Sequence, residues 1–470
     1  MKNIHFKSRK HIHFTGIKGV GNAALALCAK DLGIKVTGSD VEELFVTDDT
    51  LAKAKIGWEI GFSKNNIGKT VDLLVTTGAH GGFSNPEVQA AREMGIPTTS
   101  YAEAMSELAN EKEVITVCGV GGKTTTCSIL SALFVDAGLH PSFVVGVGSI
   151  FPLGVPGRYE KKGKHFICEG DDYAIAPGTN DKAKFSLLKP KVVIVTNIEH
   201  DHPDIYPSLD SAIKTFRDFF KTIPEDGLLI ACVDNKNVHK AIKKLTIPIK
   251  TYGFSKDADW VVDSVRFYNK KTTFTLNNKS ESINLDIRVP GRYNILNAAA
   301  SYIAGDFLGI KKSKLRKGLN SYSGCGRRFE KIGIVDGVTI YDDYAHHPEE
   351  IKALLKATRE WFPEKRVVVI FQPHTYSRTK VLFKEFSKAF SDTDVVGFMD
   401  IYSSAREEID KTVSSEKLAK ETSKYNKNAF YAGNHKKTLS WINENIKRGD
   451  ILLTVGAGDI FHLHKGLLEK

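Results

Sequence analysis

The chain has 470 residues, 41% hydrophobic and 26% charged, which suits globular cores and, at roughly 150 residues per domain, about three of them. No apolar run is long enough for a transmembrane helix, and no apolar segment follows the basic N-terminus, so neither a membrane span nor a signal peptide is expected. The six cysteines form no C-x-x-C pair, which argues against a disulfide framework or a zinc finger and for a reducing cytoplasm. The net charge of +11 is interleaved with acids rather than gathered in a nucleic-acid-binding tract.

In chain order, residues 12–15 read as a short strand. A glycine turn follows at Gly16, Gly19 and Gly21, then a helix over 23–32 that Gly33 ends, and a strand over 35–38 running into Ser39 and Asp40. This is a βαβ start with a diphosphate-binding turn, and Asp40 stands where an acid usually takes ribose hydroxyls. The glycine order, G-x-x-G-x-G, is not that of the common dinucleotide fingerprint, and a NAD-dependent dehydrogenase is the rival reading. Strands over 71–76 and 97–99 and helices over 85–94 and Tyr101–Ala109 complete a small α/β domain. The charged stretch 110–113 reads as a linker.

The stretch 114–128, VITVCGVGGKTTTCS, carries the strongest signal. A β-branched strand leads into Gly119, Gly121 and Gly122, then Lys123, Thr124 and Thr125, then apolar residues at helical spacing. Glycines let backbone N–H groups close on phosphate oxygens, and the helix start adds its partial positive charge. Lys123 adds a full charge, and Thr124 or Thr125 offers a hydroxyl to Mg²⁺. The spacing is G-x-x-G-K-T-T, shorter than the usual loop, whose first glycine would stand at Val117. The bland reading is a plain turn.

Strands are expected next over 143–147, 166–169, 192–196 and 228–233, with a helix over Leu209–Phe220. Acidic clusters follow two of them, at Glu169, Asp171 and Asp172 and at Asn197 to His202. Ligands of open α/β sheets sit beyond such strand ends. His200 and His202 suggest zinc less than the carboxylates and threonines suggest Mg²⁺. Alternating residues over 260–289 predict a small antiparallel meander beside the main sheet. Asn294 and Asn297 then share one helix face, where paired amides could read a purine edge or merely cap.

The last third begins near Arg328. Strands over 338–341, 366–371, Val395–Met399, 428–431 and Ile451–Val455 alternate with helices over 349–362, 380–390, 415–425 and 437–446. Polar clusters follow its strands: Asp342 to Pro348, Gln372 to Arg378, and the turn Gly456 to Asp459.

Together these motifs resemble the Mur ligase family, ATP-dependent amide-forming enzymes of peptidoglycan synthesis. The resemblance covers nearly the whole chain, in order: the turn ending in Ser39 and Asp40, GKTTT, the Glu169 cluster, TNIEHDHPDIY, PGRYNILNAAA, GRRFE, DDYAHHP, FQPHTYSRT and TVGAGD. The last three are similar to the branch that joins L-alanine to UDP-N-acetylmuramate. GDDYAIAPGTNDKAKF and HPDIYPSLDSAIKTFRDFFKTIP are similar to the recycling branch that attaches a murein tripeptide to the same sugar nucleotide. Gly121 and Tyr293 stand where many members have His. Arg217 stands where later-step members carry a carbamylated lysine.

The resemblance implies three α/β domains: a Rossmann-like UDP-sugar-binding domain (1–110), a P-loop ATPase-type central domain with a small antiparallel insert (111–327), and a Rossmann-like amino-acid-binding domain (328–470). It implies that Gly16, Gly19, Gly21, Ser39 and Asp40 hold the UDP part. Gly119, Gly121, Gly122, Lys123, Thr124 and Thr125 would hold ATP phosphates, with Asn297 at adenine and Arg328 and Asp343 completing the nucleotide site. Thr124, Glu169 and His202 would bind Mg²⁺, and His346, His347, His374 and Arg378 would face the amino acid. The implied substrates are UDP-N-acetylmuramate and L-alanine, with no nucleic-acid or membrane partner, in a monomer or homodimer. The third domain is expected to swing about the segment near Arg328.

Overall fold

The structure is a computed structural model and describes residues 4–176, 180–202, 204–268, 270–403, 407 and 409–469. The chain divides into two compact units. The first holds the chain up to residue 266 with 273–288 and 293–326; the second holds 267–272, 289–292 and everything from 327 on.

The first unit opens with a five-stranded parallel sheet in the order Glu59–Ile60, Lys35–Asp40, His11–Thr15, Leu73–Thr76, Thr98–Ser100. His11–Thr15 is buried along its whole length, and its two neighbours are reached by crossovers in opposite directions. That reversal opens a crevice at the carboxyl end of the central strand, where the turn at Gly16 sits.

Its second sheet has ten strands. It runs from Ser282–Ile287 through Lys271–Asn277, Trp260–Tyr268, Ile249–Gly253, Leu228–Cys232 and Pro190–Val195 to Glu113–Cys118. It continues through His165–Gly170 and Ser142–Val144 to Gly157–Arg158. The meander expected beside the main sheet is therefore a continuation of it, because Ile249–Gly253 pairs in parallel with Trp260–Tyr268. Glu113–Cys118 lies between Pro190–Val195 and His165–Gly170, so this sheet too has its switch point where a glycine turn emerges.

One apolar core joins both sheets, from Ile12, Phe14 and Leu25 to Val114, Phe166 and Phe216. The helix Val20–Asp31 carries the junction. Gly157 is required there, since a Cβ on it would lie 2.1 Å from the Ala24 carbonyl oxygen.

The second unit is a six-stranded sheet in the order Glu330–Val335, Val338–Asp343, Ile451–Val455, Val367–Phe371, Val395–Met399, Ala429–Gly433. All neighbours are parallel except the first pair. Separate cores cover it, around Phe371 and Phe398 and around Ile370 and Leu452. The edge strand Glu330–Val335 was not legible in the sequence, as Gly333 and two charges blur its alternation.

The helix expected over 380–390 is instead two short ones, Tyr376–Val381 and Phe383–Ser387. Val381, Leu382 and Phe383 are consecutive and no single helical face buries all three. The chain turns at Leu382 (φ −101°, ψ 22°), so Phe386 reaches the core while Val381 stays 79% exposed. Among the described residues no helix is long and apolar enough to cross a membrane.

Candidate active site

In the first sheet, Gly16 takes φ +72°, and its N–H and that of Ile17 both donate to the Ser39 carbonyl. Gly19 precedes the helix Val20–Asp31 and donates to the Gly16 carbonyl. Gly21 faces the Tyr101 ring, 2.8 Å from where its Cβ would be. Asp40 is buried and accepts from the N–H of Lys18 (2.7 Å) and Val41 (2.8 Å), so it holds the glycine turn from beneath. Ser39 is also buried, and its hydroxyl donates to Glu87 at 2.6 Å.

Glu87, not singled out in the sequence, organises this end of the sheet. Its carboxylate also accepts from Thr15 Oγ1 (2.8 Å) and Asn66 Nδ2 (2.7 Å). Burial works against its charge, but hydrogen bonds from His13, Ser39, Thr15 and Asn66 prevail and hold its pKa below the usual carboxylate range. The Pro86–Glu93 helix, capped by Asn85, carries the only sequence signal for it.

In the ten-stranded sheet, Gly119 (φ +129°) and Gly122 (φ +84°) frame the loop before the helix Lys123–Asp136. A Cβ at Gly119 would lie 2.3 Å from Thr196 Oγ1, and one at Gly122 would lie 2.9 Å from Asn297 Oδ1. Side chains of the next strand end and of the Arg292–Phe307 helix thus press on the loop from below. Asn197 Oδ1 accepts from the N–H of both Val120 (2.8 Å) and Gly121 (2.9 Å), which aligns the loop's donors in one direction. Asn197 heads the strand-end cluster expected near this loop, but its task of holding the loop had no signal in the sequence.

Lys123 Nζ donates to the Gly119 carbonyl (2.5 Å) and sits 3.3 Å from Asp172 Oδ1. Burial opposes its charge, yet Asp172, Asp171 and Glu169 outweigh burial and raise its pKa above the ordinary lysine value. Thr124 Oγ1 lies 3.2 Å from Glu169 Oε2, and Glu169 Oε1 accepts from Gly146 N–H at 2.7 Å. Thr125 is buried in the same first helical turn. Hydroxyl and carboxylate oxygens beside a glycine loop and a lysine make a site for a phosphate chain and a hard cation.

Asn297 and Asn294 are both buried and bonded to each other, Nδ2 to Oδ1 at 3.2 Å. His200 is turned to the Tyr206 carbonyl (2.9 Å), while His202 stays partly open against the Tyr173 ring at 4.7 Å. Of the motifs quoted above, residues 177–179 and 203 lie outside the described residues.

In the second unit, Asp343 ends the strand Val338–Asp343 and accepts from the N–H of Phe329 (2.7 Å) and Ala345 (2.8 Å). Burial pushes its carboxyl up to about 6, against the pull of Arg328 and of those two N–H groups. Arg328 stacks its guanidinium on Tyr344 at 5.3 Å. His374 and His346 have ring centroids 6.1 Å apart, and Arg378 Nη1 lies 3.0 Å from His374 Nδ1. His347 is not brought to them: it is exposed, and its Nδ1 caps the Pro348–Trp361 helix by accepting from Glu349 N–H at 3.4 Å.

Three contiguous stretches match Mur ligase domains: the Mur ligase family catalytic domain over 11–113, the Mur ligase middle domain over 117–305, and the Mur ligase glutamate ligase domain over 327–458. The chain is 37% identical over 465 residues to the UDP-N-acetylmuramate–L-alanine ligase of Acetivibrio thermocellus, covering 98% of this chain and 96% of that one. It is 36% identical to the enzyme of the same name from Desulfitobacterium hafniense, covering 97% and 99%.

The chain belongs to the Mur ligase family.

Among solved structures, the UDP-N-acetylmuramate-alanine ligase of Thermotoga maritima superposes with a TM-score of 0.82 at 25% identity, covering 98% of each chain. A murein peptide ligase from Psychrobacter arcticus shares the Mur ligase fold, with a TM-score of 0.70 at 22% identity and 98% of each chain covered. Two residues of this Mur ligase have structural tasks that their motifs did not disclose. Arg217 donates to the carbonyls of Ala241 (3.0 Å) and Lys240, closing the end of the Lys236–Ile242 helix. Arg327, next to the predicted Arg328, is buried and bound by Nε to Asp342 (2.9 Å) and by its other nitrogens to the carbonyls of Gly458 and Gly456.

Proposed function

We propose that this Mur ligase joins L-alanine to the muramoyl carboxylate of UDP-N-acetylmuramate at the expense of ATP, through an acyl phosphate. The observation that carries the reading is the Lys123 ammonium held over its glycine loop among Asp171, Asp172 and Glu169, with the Thr124 hydroxyl on the same carboxylate cluster. L-Alanine is supported as the amine by the full-length relatives that carry that activity in their names.

In this reading residues 1–110 bind the UDP-sugar, 111–327 the nucleotide and 328–470 the amine. The turn at Gly16, Gly19 and Gly21 receives the diphosphate at the start of the Val20–Asp31 helix, and Asp40 keeps that turn in shape. The glycine loop, the start of the Lys123–Asp136 helix and Lys123 receive the β- and γ-phosphates, while Asn197 holds the Val120 and Gly121 N–H groups and with them the shape of the loop. The muramoyl carboxylate attacks the γ-phosphate, the β–γ bond breaks and ADP leaves, and Lys123 neutralises the charge that spreads over the transferred oxygens.

The amine then attacks the acyl carbonyl, passes through a tetrahedral intermediate and releases phosphate. Arg378 pairs with the amino acid carboxylate. His346 and His374 border the amine, and burial lowers the pKa of both towards the neutral form, in which His374 Nδ1 accepts from Arg378. Asn297 contacts the adenine side of the loop, and Arg328 and Asp343 serve the nucleotide.

Thr124 and Glu169 fit Mg²⁺, since both offer hard oxygen atoms 3.2 Å apart beside the phosphate loop, and His202 would serve a second ion. Bound there, Mg²⁺ would screen the phosphate charges. Phosphate release from ATP, measured with UDP-N-acetylmuramate and L-alanine, L-serine, glycine or the murein tripeptide in turn, tests the proposal. L-Alanine is expected to give the highest kcat/KM; preference for the tripeptide, or release without any amine, would overturn it.

A further inference from the structure

The turn Gly456 to Asp459, which closes the last strand of the second unit, leads into a 3₁₀ turn over Ile460–His462. Residues i and i+3 eclipse in such a turn, so Asp459 and His462 project to the same side. The His462 N–H donates to the Asp459 carbonyl at 2.9 Å, which locks that geometry. A third group arrives from elsewhere in the chain. His435 opens the helix His435–Asn445 and places its Nε2 3.4 Å from Asp459 Oδ1 and 3.2 Å from the Asp459 main-chain carbonyl, a contact that a cation would replace.

One donor atom from each of the three lies within 4.8 Å of the others. The geometry points to a binding site for a zinc-class divalent cation formed by His435, Asp459 and His462, separate from the glycine-loop site of the first unit.

Five observations support it. Two imidazoles and one carboxylate are a donor set for Zn²⁺, Co²⁺ or Ni²⁺ and a poor one for Mg²⁺ or Ca²⁺. Bonds of about 2.0–2.1 Å at tetrahedral angles require donors roughly 3.3 Å apart, and His435 and Asp459 already stand at 3.4 Å. His462 offers its donor atom within 4.8 Å of the other two. Its Nε2 is buried and has no hydrogen-bond partner among the described residues, so a cation there would satisfy an otherwise orphaned atom.

The carboxylate is also oriented from behind, since Gln372 Nε2 donates to Asp459 Oδ1 at 2.6 Å and Gln372 Oε1 accepts from Ile460 N–H at 3.0 Å. Such outer contacts are the usual support of a metal-binding carboxylate. His435 and Asp459 side chains are each 35% exposed, which gives an ion a path in and leaves a coordination position to water.

Chelator-treated full-length protein, without nucleotide, would be titrated with Co²⁺ and followed by its visible absorption. One saturable site with the intense band of a four- or five-coordinate ion is expected. His435→Ala and His462→Ala, made separately, should each weaken it at least about tenfold. His202→Ala should leave the band unchanged. Thermal melts without metal check that the variants fold, and His435→Gln, at an open helix start, stands in should an alanine variant not. A parent without a saturable band below millimolar Co²⁺ overturns the site. So do His435 and His462 variants that titrate like the parent, and loss of the band in His202→Ala alone.

Discussion

Lys123 Nζ lies 3.3 Å from Asp172 Oδ1 while donating to the carbonyl of Gly119, four residues back on its own loop. The ammonium is therefore a fixed charge in place before any nucleotide arrives, and the surrounding acids keep it protonated at every working pH. Lys123→Ala is expected to lower kcat by at least about 10²-fold, the scale for losing one charge-stabilising donor. UDP-N-acetylmuramate affinity, measured by calorimetry, should stay within error, since that ligand is assigned to the other sheet. Equal loss of both would refute the division of roles.

Gly122 offers a cleaner test of the loop itself. At φ +84°, with Asn297 Oδ1 2.9 Å from the would-be Cβ, Gly122→Ala meets both backbone strain and a clash. The left-handed conformation alone costs about 1–2 kcal/mol for a residue with a Cβ. ATP affinity should fall about tenfold or more, while far-UV circular dichroism stays that of the parent. Unchanged ATP affinity would mean that the loop does not wrap the phosphates.

Asp343 sets a pH dependence of unusual sign. Its carboxyl is raised by burial to about 6, above the ordinary 3.8, so the native state holds this proton more tightly than the unfolded chain does. Its contribution to stability is thus greatest below about pH 4 and is lost as pH rises to about 6. Urea midpoints of Asp343→Asn should decline less than those of the parent over that window. Parallel curves for the two proteins would contradict the assignment.

Arg327 is a structural anchor by its contacts. Removing a buried cation from Asp342 and two backbone carbonyls leaves a buried carboxylate held only by Thr454 and the His464 ring, which costs up to about 3–5 kcal/mol. Arg327→Ala should therefore lower the melting temperature sharply. Arg328→Ala should melt near the parent and lose activity instead. The reverse pattern would exchange the roles of the two neighbours.

This pair also shows what was legible in the sequence. Order and spacing of motifs disclosed the layered α/β fold, the two glycine turns and the lysine, because each is local: strand, turn and helix are consecutive. Which of two adjacent arginines is buried depends on strand partners more than a hundred residues away, and no pattern in GRRFE distinguishes them. Glu87 and the task of Asn197 were missed for the same reason, since the partners of both residues converge only when the sheets form. His347 misled in the opposite way. Its place beside His346 suggested a shared task, but the helix start at Pro348 turned it outward as a cap. The break at Leu382 escaped because helical periodicity counts apolar residues without asking whether one face can hold them.

His374 provides the last test. Burial, then the charges of Arg378 and His346, lower its pKa to about 4. Its Nδ1 lies 3.0 Å from Arg378 Nη1, so it accepts that hydrogen bond only while unprotonated. A histidine with a depressed native pKa stabilises the fold above its unfolded value of 6.5, and that contribution disappears as pH falls to about 4. His374→Gln, which keeps an acceptor but cannot titrate, should flatten the fall in melting temperature between pH 6.5 and 4. The same substitution should leave the pH profile of KM for L-alanine from pH 6 to 8 parallel to that of the parent, because the imidazole is neutral throughout that range and the titration of the amine is common to both. A parent KM that climbs about tenfold more than that of the variant between pH 7 and 6 would show His374 titrating at its ordinary value and Arg378 not held as described.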